Sequence, residues 1–166
     1  MSVRPVLTLP QSVLTSPARP VGVVDAAARE LATDLVDTMR VSPGCVGLAA
    51  PQVGVGLRAF AVDVTGHRKA RSCHGTIVLF DPEVVASSGP ETAREGCMSV
   101  PDLTGDVSRA TAVTVTGLDH DGIRRTLEVD AFEARAVLHE IDHLDGLVFL
   151  DRTSGPHAVF PRKVYR

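Results

Sequence analysis

The chain has no tryptophan and a single tyrosine among its 166 residues. A core of stacked aromatics is excluded, so the interior must be built mainly from Val, Leu, Ala and Ile. Cysteine is scarce and odd in number: Cys45, Cys73 and Cys97, irregularly spaced. That argues against a disulfide framework and points to a reducing, cytoplasmic setting. No window reaches the roughly 18 uninterrupted apolar residues of a spanning helix, so no membrane association is expected. Neither sign of charge dominates; 17 Lys and Arg against 20 Asp and Glu leave −3. Direct binding to nucleic acid therefore has no electrostatic footprint. Pro5, Pro10, Pro17 and Pro20 occupy the region where a secretory signal needs an apolar core, so no signal peptide is read. What is present is ordinary: 44% hydrophobic and 22% charged residues, fitting one domain over residues 1–166.

Residues 1–24 read as an extended arm, because the prolines break helices and lack the N–H that a central strand needs. Asp25 reads as an N-cap. After it Ala28, Leu31, Ala32, Leu35 and Met39 keep helical spacing until Ser42-Pro43-Gly44. The spans 58–64 and 76–80 read as strands, with a basic loop over 65–75 between them and a turn at 86–90. A hairpin is expected over 112–129, turning at Asp121-Gly122. Asp130 with Glu133 reads as a capping box opening a second helix, which Gly146 should end. The short apolar run 147–150 reads as a strand, and residues 151–166 as a short surface tail. The expected fold is α+β: antiparallel or mixed β-sheets packed around a central helix, with one N-terminal helix.

That second helix carries His139-Glu140-Ile141-Asp142-His143. Histidines at i and i+4 lie one above the other, so both imidazoles can reach one cation. The intervening glutamate is placed to take a proton from water activated by that cation. A catalytic site of this kind wants three protein ligands and one open position. Candidates for the third are Cys97, the carboxylates and the remaining histidines. Cys97 stands out in Glu95-Gly96-Cys97-Met98-Ser99: glycine lets the backbone bend close, and a thiolate is a strong, soft donor. Gly47-Leu48-Ala49-Ala50-Pro51-Gln52 is small and uncharged, a stretch that lets backbone approach a ligand.

These three motifs, in this order, resemble the bacterial peptide deformylases, and the resemblance runs from the first helix to about Leu150. It implies Cys97, His139 and His143 as metal ligands and Glu140 as the acid/base residue. It implies that Gln52 and the backbone N–H of Met98 hold the formyl oxygen. Val46, Gly47 and Leu48 would pair with an extended peptide. The implied activity is removal of the N-formyl group from the first methionine of newly made peptides, releasing formate. The implied cofactor is one divalent metal ion, Fe(II) first, with Zn, Ni or Co as alternatives. N-formylmethionyl peptides and nascent chains would be partners, with a transient ribosome contact. Four positions depart from the common pattern: Cys45 for glycine, Met98 for leucine, Leu138 for glutamine and Thr104 for arginine. None removes a ligand, the glutamate or Gln52, while Thr104 bears on the distal part of the substrate.

Two rival readings follow. One is an altered or inactive paralogue with a metal-binding, resistance or stress role. The other is an H-E-x-x-H metallopeptidase, although such enzymes usually recruit their third ligand downstream of the helix. Elsewhere, His67, His74, His120 and His157 read as solvent-exposed loop residues. Glu95 and Asp142 are candidates to orient the histidines, and Arg109 to pair with an acid that spacing does not specify.

Overall fold

Residues 2–163 are described by the computed structural model. Helix α1 covers Ala26–Val41, and its start follows from Asp25, whose carboxylate accepts the Ala28 N–H at 2.9 Å. Its buried stripe contains Ala28, Leu31, Ala32, Leu35 and Met39, the five residues expected from spacing. Strands β1 (Gly47–Ala49), β2 (Ala59–Val62), β3 (Ile77–Cys97), β4 (Val100–Leu118) and β5 (Arg124–Asp130) follow in sheet order. Helix α2 covers Ala131–Leu144, and β6 (Val159–Pro161) returns to pair with β4.

Every ladder in this six-stranded sheet is antiparallel. The mixed alternative is not realised; the parallel pairing among the described residues is an isolated bridge between Arg19 and Leu57. Strand β2 shows why both helices are needed. Phe60 and Val62 face the α2 side with Val137, Ile141 and Leu144, while Ala59 and Ala61 face the α1 side with Leu31 and Leu35. Successive side chains leave a strand on opposite faces, so β2 is buried on both. A third, smaller cluster of Cys97, Val100, Val107, Val148 and Phe149 lies where β3 turns into β4.

Four expectations need correction. The turn at 86–90 is instead the middle of the long strand β3. Gly89 takes φ +71°, its carbonyl accepts Thr111 Oγ1 at 2.5 Å, and pairing continues through Pro90 and Ala110. The capping box does not form. Ala131 has φ +48°, and no side chain of Asp130 caps the helix. Asp130 Oδ1 accepts Ser72 N–H at 2.8 Å instead, and Glu133 takes Ser72 Oγ, His74 N–H and His74 Nδ1 from the 65–75 loop. Residues 147–150 are not a strand: Val148 leads into a 3₁₀ turn, Phe149–Arg152, held by Asp151 Oδ2 on the Val148 N–H. A four-residue apolar run is too short for periodicity to decide, and burial under the sheet decided it here. Finally, the expected surface tail contains β6.

The hairpin turn is as expected, with Gly122 at φ +76° and Asp119 Oδ1 accepting both the Asp121 and Ile123 N–H groups. Gly146 ends α2 at φ +78°, and Leu147 N–H returns to the Asp142 carbonyl at 2.9 Å.

Glu133 is fully buried and satisfies the loop through three hydrogen bonds. Glu133→Ala should cost about 1–3 kcal/mol by removing the three hydrogen bonds that hold the 65–75 loop to the helix. Urea unfolding measures that loss, and the His74 amide should exchange with solvent faster than in the parent.

Candidate metal centre

Helix α2 delivers His139 and His143 one turn apart. The third donor comes from the far end of β3. Pairing shifts register between Gly96, opposite Thr104, and Cys97, opposite Val100. This irregularity turns the Cys97 side chain out of the ladder and towards the helix. Cys97 Sγ lies 3.3 Å from His143 Nε2, and one donor atom from each of Cys97, His139 and His143 lies within 4.8 Å of the others. A tetrahedral cysteine–histidine site, with bonds of about 2.3 and 2.0 Å, separates sulfur and nitrogen by about 3.5 Å. The sulfur–nitrogen spacing therefore fits a cation between the donors, and one thiolate with two imidazoles is a set that Zn, Fe, Ni and Co accept.

His139 is aimed by its other nitrogen: Nδ1 bonds Glu95 Oε1 at 2.8 Å. Glu95 also receives Arg109 through Nε at 2.6 Å and Nη2 at 3.0 Å, and Arg135 Nη1 at 2.7 Å. Arg109 reaches on to Asp142 Oδ2 at 2.8 Å, and Arg152 closes the chain on Asp142 Oδ1 at 2.9 Å. Arg109 thus pairs with two acids. Glu95 orients His139 directly, whereas Asp142 acts on Arg109 and Arg152.

Burial disfavours ionised Glu95, yet the hydrogen bonds from His139 and Arg109 overcome it and hold the carboxyl near 2. Among the protein groups alone, burial also opposes charge on His139, but Cys97 and Glu95 raise it to about 10. Burial pushes His143 down to about 3. The pocket thus carries a positive charge against its sulfur and carboxylate, the place a metal cation would take.

Glu140 faces the other way, towards β1. A Cβ placed on Gly47 would sit 2.5 Å from Glu140 Oε1, so glycine is required there for this approach. Glu140 is buried, its Oε2 has no partner among the described residues, and burial lifts its carboxyl to about 7. Gln52 stands in a 3₁₀ turn, Ala50–Val53. Its Oε1 accepts the Ala49 N–H at 3.0 Å, which aims Nε2 at Cys97 Sγ, 3.6 Å away, and Ser99 Oγ, 3.1 Å away. Met98 follows Cys97 in the turn between β3 and β4.

The two faces of β1 divide three sequence candidates. Asp63 N–H bonds the Val46 carbonyl, and Gly47 stands opposite Val62. The Gly47 carbonyl instead accepts Cys45 Sγ at 3.1 Å, so Gly47 presents its backbone to the free edge. Val46 and Gly47 line a cavity of ≈ 380 Å³ together with Gln52, Cys97, His139 and Glu140. Leu48 points into the α1 core.

Ser99 escaped the sequence reading. It is fully buried, receives Gln52 Nε2 and donates to the Leu7 carbonyl at 2.7 Å. The N-terminal arm is thereby strapped across the site, with Leu7 N–H on the Gln52 carbonyl and Leu9 N–H on the Ser99 carbonyl. Its place two residues after Cys97 was the available signal. His120 and His157 are exposed as expected. His74 bonds Glu133, and His67 is half-buried, stacked on Phe132 at 3.8 Å in the cavity wall.

The family model described as polypeptide deformylase matches residues 3–158. The chain belongs to this family. It is 44% identical over 154 residues to peptide deformylase 1 of Bacillus subtilis (strain 168), covering 93% of this chain and 92% of that relative. The crystal structure of the Ehrlichia chaffeensis deformylase in complex with actinonin superposes with a TM-score of 0.86 at 34% identity, covering 93% of this chain and 90% of that one. The Acinetobacter baumannii deformylase with bound Met-Ala-Ser gives 0.81 at 33%, covering 92% and 99%. Membership makes this deformylase a hydrolase with a metal-capable Cys/His/His cluster. No helix of the described residues is long and apolar enough to cross a membrane.

Two measurements test the support behind His139. Glu95→Ala should weaken metal affinity about 10–100-fold, read by competition with a chromogenic chelator. In metal-stripped protein the sign of the acid effect is fixed by the lowered Glu95 carboxyl. Its stabilisation is fully present above the ordinary value of 4.5 and is lost as pH falls through about 2. Thermal melts over that window should show a shallower decline for Glu95→Gln.

Proposed function

We propose that this hydrolase removes the N-formyl group from the first methionine of newly made peptides, using one divalent cation held by Cys97, His139 and His143. The carrying observation is the clustering of those three donors beside a cavity that Cys97, His139, Glu140 and Gln52 line, in a deformylase chain. Fe(II) is the cation proposed, with Zn, Ni or Co as substitutes that the same donors accept. Residues 1–166 act as one catalytic domain, in the cytoplasm, with transient contact to the ribosome.

A bound cation supplies Lewis acidity, polarising the formyl oxygen and acidifying water. The remaining work falls to the chain's own groups. Glu140 takes a proton from the attacking water at Oε2, which has no partner among the described residues, and passes it to the leaving amine, one group serving as base and then acid. Gln52 Nε2 and the Met98 N–H donate to the formyl oxygen as it gains charge. Gly47 offers its free-edge N–H to the main chain of an extended peptide, while its carbonyl accepts the Cys45 thiol. Val46 walls the same cavity, and Leu48 anchors the strand in the core. A formyl carbon bears only hydrogen, so a close-fitting cavity excludes acetyl by shape.

Neither rival is favoured. The whole set of ligands, glutamate and Gln52 is retained, and the third ligand lies upstream of the helix, unlike the usual metallopeptidase.

Iron-loaded protein under anaerobic conditions should release formate from formyl-Met-Ala-Ser and leave unformylated peptides uncut. No turnover from folded, metal-replete protein would refute the reading. Glu140→Ala should keep its metal but lose about 10²–10⁴-fold in kcat. Gln52→Ala should lose about 10²–10³-fold, the usual consequence of deleting one oxyanion donor.

A further inference from the structure

The cations around the site cavity have no part in the chemistry above. Lys69, Arg94, Arg135 and Arg162 all line it, in a chain whose net charge is −3. The acids lining it, Glu95 and Glu140, are buried. Arg135 is engaged by Glu95 and by the Glu91 and Val107 carbonyls. The remaining arginines are held in place by the last strand.

Strand β6 sets Phe160 opposite Thr104 and Pro161 opposite Leu103, and the Arg162 N–H bonds the Asp102 carbonyl at 2.9 Å. The Arg162 guanidinium then lies over the ligand turn, donating to the Cys97 carbonyl at 3.2 Å and the Leu103 carbonyl at 3.5 Å. A Cβ on Gly96 would come within 2.8 Å of its Nη2, so glycine permits this position. Phe160 is a platform for Arg94, whose Cζ sits 3.8 Å from the ring centroid. Arg94 also bonds Asp106 Oδ1 at 2.7 Å; Arg162 has no carboxylate partner among the described residues.

We propose that Arg94 and Arg162 form a carboxylate subsite for the peptide substrate beyond its formylated residue, favouring Glu or Asp there over Lys or Arg. This rests on the deformylase reading. Guanidinium forks match carboxylates in shape, and forks already fixed by ring and carbonyl lose less freedom on binding. Both side chains line the cavity. Arg94 uses Nε on Asp106 and Nη1 on Thr104, Arg162 uses Nη2 on two carbonyls, and Arg94 Nη2 and Arg162 Nη1 have no partner among the described residues. Lys69 adds positive potential to the same space, which steers acidic peptides inward.

The test uses metal-loaded enzyme at low ionic strength and formyl-Met tripeptide amides with Glu, Gln or Lys at the second or third residue. At one position the Glu peptide should have a KM about three- to fivefold below its Lys counterpart, the scale of a partly exposed ion pair. In the double variant Arg94→Gln, Arg162→Gln that gap should close, mainly through KM, whereas Arg124→Gln should keep it. Calorimetric Kd values for the unformylated peptides give the same comparison without turnover, so a failed deformylase assay does not obscure the answer. Equal binding of Glu and Lys peptides at both positions, or a gap that survives the double variant, overturns the subsite.

Discussion

Glu95 is a buried carboxylate on β3 whose partners come from two other elements, and the rest of the centre is arranged around satisfying it. Its oxygens receive His139 and Arg135 from α2 and Arg109 from β4. An ionised carboxylate without those donors would be expelled or protonated. Arg109 in turn requires Asp142, and Asp142 receives Arg152 from the turn after the helix. The network therefore pins α2 to the β3–β4 ladder along the stretch that carries the ligands. A shift of one residue in that ladder would turn Glu95 to the other face and leave Arg109 and His139 unpaired. The register of an antiparallel pair and the aim of a metal ligand are thus the same constraint.

What could be read in advance follows from how local each feature is. His139 and His143 are four residues apart on one helix, and Cys97 stands out by its own neighbours, so both were legible. Arg109 was recognised as a partner for some acid, but its acids are 14 and 33 residues away in sequence. No spacing rule joins those positions; the β3–β4 ladder and the packing of α2 do. The same limit explains the misread turn at 86–90. Gly89 and Pro90 carry the local signature of a turn, and the side chain that keeps the strand going, Thr111, lies on the next strand. The capping box failed for a related reason, since Asp130 and Glu133 found partners in the 65–75 loop.

The free edge of β1 shows what the small-residue motif accomplishes. Gly47 has no side chain, so Glu140 approaches the strand closely, and the Gly47 carbonyl, turned away from β2, accepts the Cys45 thiol. Two residues on, the Ala49 N–H on that edge is taken by Gln52, which fixes the amide beside Cys97. One edge strand therefore both borders the cavity and fixes the Gln52 amide at its end. The N-terminal arm completes the arrangement by occupying Ser99 and the Gln52 backbone.

The donors of the metal-capable cluster come from a helix and from an irregularity at the end of a long ladder, while Gln52 and Met98 stand in two separate turns. None of these elements can place its group without the others being folded. Binding a cation between Cys97, His139 and His143 therefore favours the folded chain over the unfolded one, because the unfolded chain holds no such cluster. The dependence also runs in reverse. A buried imidazole held near pKa 3 beside another near 10 is an unbalanced pair for protons alone. A divalent ion held by both rings and the sulfur would take both imidazoles in their uncharged form and remove that imbalance. Stability of the centre thus draws on the same three donors, while Glu140, turned towards Gly47, lies outside that cluster.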